Sequence, residues 1–501
     1  MKLNQKSQPL AEALDSFIAR EPAYFCIPGH RFERGISEGL TGRFGEKIFR
    51  YDLTEANGLD DLHAACGAIK DAQGLAAELY GADETRFLVN GTTCGIEALV
   101  MAVAREGENV ILARNMHHCV VSGLVLSGAK PNWMLPEIDE KFGFCTELSC
   151  ETLENAIEKT PDAKAVFVVS PTYYGKLSDI RGLADICHAH GMPLIVDEAH
   201  GAHLYFNDEL VGGALKMGAD AVVMSAHKTL GSMTQSSFLH IKSKLIDVQR
   251  VDEALRITQS SSPSYILMTS LDAARAQMAR DGRDITGRAL ELSLDLRCAI
   301  EDIKGVDVFG GCNYKKLKSQ RIDPTRVVFS ARDLGMSGYE LSDILFDKYS
   351  IAIEMADTFS CVAVITGANN EEDISRLTKA LQDISSQKKN WSESAKKTDC
   401  RGALNSENME FIKKMFHVPE AVMTPRRAFF ADCESVKIKD AIGRVSAQSL
   451  EPYPPGISII NPGEVIDEKI ASAIETCYKN NIKMHGSPDE GEYIKVVRLQ
   501  D

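Results

Sequence analysis

AVVMSAHKTLGSMTQSS, residues 221–237, begins as an apolar strand and turns polar within one residue. Ala221 to Met224 give way to Ser225, His227 and a single lysine, Lys228, set among hydroxyls. A short, wholly apolar segment reads as a strand covered on both faces, the signature of a parallel sheet. Ligands on such sheets sit at the carboxyl ends of the strands. The same pattern recurs upstream. RFLVN runs into NGTT, NVILAR into NMHH, KAVFVVS into PTYYG, and PLIVDE into AHGAH. Helices lie between: GAIKDAQGLAAELYG places Ile69, Leu75, Ala76 and Leu79 near one face, TTCGIEALVMAVARE has Thr92 or Thr93 as its N-cap, and SCETLENAIEKT follows. Residues 67–245 therefore predict an α/β fold, a mainly parallel sheet with helices on both faces and five polar motifs on one rim.

Downstream, residues 250–300 read as helical. Residues 305–385 read as α+β, with VVFSAR and IAIEMA as strands and ELSDILFDKY and ISRLTKALQDI as helices. A polar stretch then reads as a linker. The expected division is an N-terminal segment at 1–60, a large cofactor-binding unit at 61–290, a small α+β unit at 291–390, a linker at 391–408 and a C-terminal unit at 409–501. The net charge of −15, from 71 acidic and 56 basic residues, argues against binding to nucleic acid or an anionic membrane. Thirteen cysteines without CxxC pairs suggest neither a disulfide framework nor a zinc site, so no metal is expected. They fit free thiols in a reducing cytoplasm. The N-terminus has no apolar signal-peptide core, and no run approaches the roughly 18 apolar residues of a membrane span.

A lysine at a strand end, inside a closed site, has a depressed pKa and can attack an aldehyde. The matching cofactor is pyridoxal 5'-phosphate, whose ring is an electron sink. Such a site needs an acid for the pyridine nitrogen, a phosphate cradle and a group that fixes the ring. Asp197, at the end of PLIVD, supplies the acid, although alone it reads as a helix cap. Ala199 presents a small apolar surface to one ring face. Thr92 and Thr93, after Gly91, open a helix whose free N–H groups favour an anion, and Ser225 and His227 add donors. His117 is placed to stack on the opposite ring face.

NGTT, RNMHH, SPTYYG, VDEAHGAH and SAHKTLGSMTQSS, in this order, resemble the ornithine/lysine/arginine decarboxylases of aminotransferase fold type I. FCIPGHRFERG and YDLTEANGLDDLH near the N-terminus are similar to that family too, as are TPRRAFF and IGRVSAQSLEPYPPGISIINPGE near the other end. The resemblance spans roughly residues 20–500 and is nearest to the shorter branch without a wing domain, typified by the biosynthetic bacterial arginine decarboxylase. It implies an aspartate-aminotransferase-like fold and a pyridoxal phosphate anchored on Lys228. It also implies Asp197 at the pyridine nitrogen, His117 on the ring, and phosphate held by Thr92, Thr93, Ser225 and His227. His200 would contact the ring hydroxyl. It further implies a homodimer or higher homo-oligomer with the site at the interface, where His30 and Asp60 of the partner's N-terminal segment line the pocket.

The implied reaction is decarboxylation of a basic L-amino acid, arginine to agmatine and CO2, in polyamine synthesis. Lysine and ornithine are alternative substrates. Lys228 and His227 are both candidates to return the proton to Cα. A cationic tail needs acidic partners, and Glu464, Asp489 and Glu490 are the candidates in the C-terminal unit. An aminotransferase would share Lys228 and Asp197 but would release a keto acid. A non-catalytic binding or regulatory paralogue is the rival of another class; it would be expected to lose the lysine.

Overall fold

The computed structural model describes residues 4–387, 406–453, 456–480, 482–486 and 493–498. The apolar runs form the predicted sheet. Its strands are β1 (Glu84–Leu88), β2 (Asn109–Ala113), β3 (Lys130–Met134), β4 (Val166–Val169), β5 (Leu194–Asp197), β6 (Ala221–Met224) and β7 (Ser237–Ile241), in the spatial order β1-β7-β6-β5-β4-β2-β3. β6, β5, β4, β2 and β3 are parallel, whereas β7 runs antiparallel to both β6 and β1. β1 and β6 therefore point the same way, and their carboxyl ends share a rim with β2, β4 and β5.

β3 and β7 are additions to the expected strands. β3 is an edge strand, KPNWM, where Pro131 and half-buried side chains suit a position with one unpaired flank. β7, SFLHI, is wholly buried yet carries Ser237 and His240. His240 Nδ1 is satisfied by Thr85 Oγ1 at 2.7 Å, the compensation a buried polar ring requires. The helix after β1 spans Gly91–Val103, and its N-cap is Asn90 rather than Thr92 or Thr93. Gly91, at φ +71°, makes the turn one residue early, so both threonines lie inside the first helical turn.

Two apolar cores cover the faces of the sheet. One contains Leu10, Leu14, Phe17, Tyr24 and Leu53, so residues before 60 pack into the large unit rather than forming a detached arm. The boundary at 290/291 falls within one 37-residue helix, Tyr265–Glu301. Its first half, with Tyr265, Met268 and Leu271, packs into the large core, and its second half, with Leu292, Leu296 and Ile300, into the core of the small unit. The small unit holds the antiparallel strands β8 (Asp307–Val308), β9 (Arg326–Ser330), β10 (Met355–Ala356) and β11 (Cys361–Val364). IAIEMA is a strand only over its last two residues. The C-terminal unit pairs β12 (Cys433–Lys437) with β15 (Tyr493–Val497), and β13 (Glu451–Pro452) with β14 (Met484–His485), around Ile438, Leu450, Ile470 and Ile474. Most of the expected linker lies outside the described residues. Among the described residues, no helix is long and apolar enough to cross a membrane.

Candidate active site

Lys228 sits in the short helix Ala226–Thr229, immediately after β6. Its Nζ is 3.1 Å from His200 Nε2 and 5.8 Å from the centroid of the Tyr173 ring. Burial pushes its pKa below the usual lysine value; Asp197 opposes that shift and the Arg326 guanidinium adds to it. A lysine so placed holds its proton weakly, which is what a nucleophilic amine needs. Asp197 closes β5 and is buried, with Oδ1 accepting the Ala199 N–H at 3.1 Å. Burial raises its pKa, and the Lys228 charge works the other way.

Three imidazoles surround the amine. His200 Nε2 lies within hydrogen-bond distance of Lys228, and its Nδ1 is buried without a hydrogen-bond partner among the described residues. His117 Nδ1 accepts the Cys119 N–H at 3.3 Å, which puts its proton on Nε2. His227 Nδ1 lies 3.0 Å from the Ser236 carbonyl and must donate to it. Its Nε2 is therefore a lone pair whenever the ring is neutral, and it can donate to a phosphate only when doubly protonated. Burial holds all three below the ordinary histidine pKa, His117 at about 3 and His200 well below its usual value. For His117, the neighbouring His118 and Lys228 deepen the shift.

At the other end of the site, Thr92 Oγ1 and Ser225 Oγ are 3.3 Å apart beside the N-terminus of the Gly91–Val103 helix. The first-turn N–H groups of a helix have no intrahelical acceptor and favour an anion. Gly91 N–H itself is taken by Gln235 O at 2.8 Å, which fixes the loop after Lys228 against the helix. Thr92, Thr93, His117, Asp197, Ala199, His200, Ser225, His227 and Lys228 all line one cavity of about 470 Å³. That volume is in the ordinary range for a small-molecule site.

The candidate substrate ligands fare differently. Glu464 is 2% exposed and grips Arg114 with both oxygens, at 2.5 and 2.9 Å. It also accepts from Asn461 N at 2.8 Å and Nδ2 at 3.2 Å. Its carboxylate is thus committed to tying the C-terminal unit to the residue after β2, and it does not line the cavity. Asp60 accepts the backbone N–H groups of Asp61, Cys66, Gly67 and Ile69. Burial works to raise its pKa, but these bonds outweigh it and hold the carboxyl below its usual value. His30 Nε2 is 3.2 Å from Asp52. Neither Asp60 nor His30 lines the cavity of its own chain. Asp489 and Glu490 lie outside the described residues.

Other residues take part that the motifs did not single out. Tyr173 and Asn115 come from the loops after β4 and β2, and Tyr453 and Ile457 from the C-terminal unit. The Tyr173 ring packs 4.4 Å from that of His200, and its hydroxyl donates to Glu354 Oε1 at 2.6 Å. Glu354 is a carboxylate of the small unit whose field acts on Lys228 and His227. Arg326, the first residue of β9, is buried, with Nε and one Nη unpartnered. SPTYYG marked the Tyr173 loop, but Glu354 and Arg326 lie in strand-like sequence with no local signal.

Two family models match the chain: Orn/Lys/Arg decarboxylase, major domain, over residues 8–373, and Orn/Lys/Arg decarboxylase, C-terminal domain, over residues 409–481. The arginine decarboxylase of Bacillus subtilis is 34% identical over 499 residues, covering 99% of both chains. That of Bacillus anthracis is 35% identical, covering 97% of this chain and 96% of its own. The constitutive lysine decarboxylase of Escherichia coli is 20% identical, with 94% of this chain and 77% of its own covered. Among solved structures, the lysine decarboxylase of Francisella novicida superposes with a TM-score of 0.82 at 20% identity, covering 98% of this chain and 81% of its own. An alanine–glyoxylate aminotransferase from Nostoc superposes at 0.51 and 18% identity over 63% of this chain and 86% of its own, a likeness of fold alone. A major-domain match over most of the chain, joined to relatives a third identical from end to end, means that this chain belongs to the Orn/Lys/Arg decarboxylase family.

Proposed function

We propose that the protein decarboxylates arginine to agmatine, using pyridoxal phosphate carried on Lys228. The observation that carries this reading is the pairing of a pKa-depressed Lys228 with the buried carboxylate of Asp197 in one cavity. The donor set fits the cofactor on structural grounds. The buried Nδ1 of His200 has no partner among the described residues, and the helix that starts at Gly91 presents its first-turn N–H groups beside two hydroxyls. Lys228, Asp197, His117, Ala199 and His200 would hold the ring, and Thr92, Thr93, Ser225 and His227 the phosphate. When bound, the cofactor supplies an electron sink for the pair released as CO2 leaves.

The chain's own groups do the rest. The Asp197 carboxylate would keep a proton on the pyridine nitrogen. Neutral His117 and Ala199 would bound the two faces of the ring. Lys228, with its proton weakly held, would be the amine that anchors the group and can act as a base at that end of the cavity. The Lys228 amine, and the Nε2 of His227 once it has itself taken up a proton, are the two groups that could carry a proton back to Cα. Glu354 does not itself line the cavity but holds the hydroxyl of the lining residue Tyr173, and its field reaches Lys228, so it is the acidic group offered for the cationic tail in place of Glu464.

Arginine is favoured because four relatives that are 34–35% identical are named arginine decarboxylases, whereas those named lysine decarboxylases are 20–23% identical. The reading includes a homodimer in which the partner's N-terminal segment closes the cavity. The exposure of Phe25 (89%) and Ile27 (60%) beside His30 supports it. It also includes a cytoplasmic location, which suits the unpaired cysteines among the described residues. Separate incubation of the purified protein and cofactor with arginine, lysine and ornithine tests the reading. Agmatine and CO2 from arginine are expected. Release of a keto acid instead, or unimpaired turnover by Lys228→Ala, would refute it.

A further inference from the structure

His117 does not stand alone in the cavity wall. Its ring packs on that of His118, with centroids 4.1 Å apart. The C-terminal unit grips both residues: His118 donates its backbone N–H to Gly456 O at 3.1 Å, and His117 bridges to Ile457. Behind His118 stands Glu451 of β13, its side chain only 10% exposed, with Oε1 3.9 Å from His118 Nδ1. Glu451 Oε2 accepts from Ser458 Oγ at 3.2 Å. That His118 Nδ1 is buried and has no hydrogen-bond partner among the described residues. A buried nitrogen in this state is costly, and a shift of under an ångström would bring the carboxyl into bonding range.

The surroundings complete the picture. His485 lies across from Glu451 in the β13–β14 pair and stacks on Tyr453 at 4.2 Å, and Tyr453 lines the cavity. Lys228 acts on His117 from the cavity side. Burial raises the Glu451 pKa to about 7, and Ser458 restrains that rise. Burial lowers that of His118, and the charge of His485 adds to the effect.

We propose that Glu451 is a positioning residue: as the acid partner of His118 Nδ1, it fixes the imidazole on which His117 rests, and so the ring that faces the cofactor. The inference rests on the reading of the cavity as a pyridoxal phosphate site. A protonated Glu451 donates to Nδ1 and keeps the His118 proton on Nε2. An ionised Glu451 accepts from Nδ1 and so reverses the tautomer. The packed pair therefore has two arrangements, and the proton on Glu451 selects between them near neutral pH.

The test is the affinity of the protein for pyridoxal phosphate, read by quenching of protein fluorescence from pH 5.5 to 8.5. The parent is expected to show a step near pH 7. Glu451→Gln keeps a donor for Nδ1, so its affinity stays close to the parent's, but the step disappears. Ser458→Ala removes the bond that restrains Glu451, so the step moves to higher pH. Glu451→Leu leaves Nδ1 without a partner and weakens binding about tenfold. A parent without a step, or a step that survives unchanged in Glu451→Gln, overturns the inference even if Glu451→Leu does not fold. A parent that binds no cofactor at any pH overturns instead the reading of the cavity.

Discussion

Replacing Glu464 by Gln separates two roles that the sequence could not distinguish. The carboxylate is 2% exposed and meets a guanidinium that is itself 2% exposed, in a two-pronged geometry at 2.5 and 2.9 Å. Desolvating both ions is expensive, so the intact pair adds little over an apolar pair of the same volume. Removing one partner is another matter, because Arg114 then keeps a buried charge with no counter-ion. Such a loss costs about 3–5 kcal/mol. Gln retains one acceptor for Arg114 and one for Asn461, so the lower end, about 3 kcal/mol, is the expected value. Urea denaturation followed by tryptophan fluorescence reads it well, since Trp133 lies beside Arg114, with the guanidinium 5.0 Å from the ring. The midpoint should fall in Glu464→Gln. In the double variant Arg114→Met/Glu464→Leu it should recover most of the loss, as no charge is left unpaired. KM for arginine should be unchanged wherever the protein is folded. An unshifted midpoint together with a tenfold rise in KM would refute the reasoning and return Glu464 to the substrate.

Asp197→Asn should lower turnover about 10²–10⁴-fold with little loss of folding stability, since breaking a buried charge pair in the reacting complex is worth about 3–5 kcal/mol; steady-state rates and a thermal melt check both halves. Glu354→Gln should raise KM for arginine about tenfold while kcat changes little, the pattern of lost uniform binding; an equal fall in kcat would instead place Glu354 in the chemistry. Glu97 has its pKa raised to about 7 by burial alone, so its ionised form is disfavoured in the folded state. The stability contributed by its neutral form is complete below the unfolded carboxyl pKa and is lost as pH rises to about 7. Glu97→Gln should accordingly stabilise the protein at pH 8.5 by about 1 kcal/mol, a value discounted for partial solvent screening, and leave it unchanged at pH 4.5.

The sheet was legible because its strands are short, apolar and buried on both faces, so that composition alone reveals them. Val166–Val169 and Ala221–Met224 contain no polar residue at all. β7 escaped because burial there is reconciled with polarity by a specific partner, Thr85 for His240, across a pairing that local sequence does not encode. The convergence of Thr92, His117, Asp197 and Lys228 on one cavity was legible for a related reason: they follow strand ends, and strand ends share a rim. The Tyr173 side was not. Tyr453 lines the cavity from the C-terminal unit and Glu354 holds the Tyr173 hydroxyl from the small unit, and both approaches depend on how those units dock. Glu464 misled for the same cause, since an acidic residue in a conspicuous motif gives no sign from sequence that Arg114 will meet it.

The charge balance of the cavity ties these pieces together. Lys228 needs a weakly held proton, yet Asp197 must stay ionised beside it, and each pulls the other toward the charged state. Burial alone would neutralise both. What tips the balance for the amine is cationic: Arg326 presses on Lys228, and the same field helps keep His200 unprotonated, so the ring can accept from the amine rather than repel it. Arg326 is restrained in turn by Asp323, Glu354 and Tyr173, and of these Tyr173 lines the cavity while its hydroxyl donates to Glu354. A positive tail settling on Glu354 would take up part of the negative field that restrains Arg326 and supports the Lys228 proton. Substrate entry would then weaken that proton's hold at the moment the amine must act, a coupling that follows from placing one carboxylate between the tail site and the lysine.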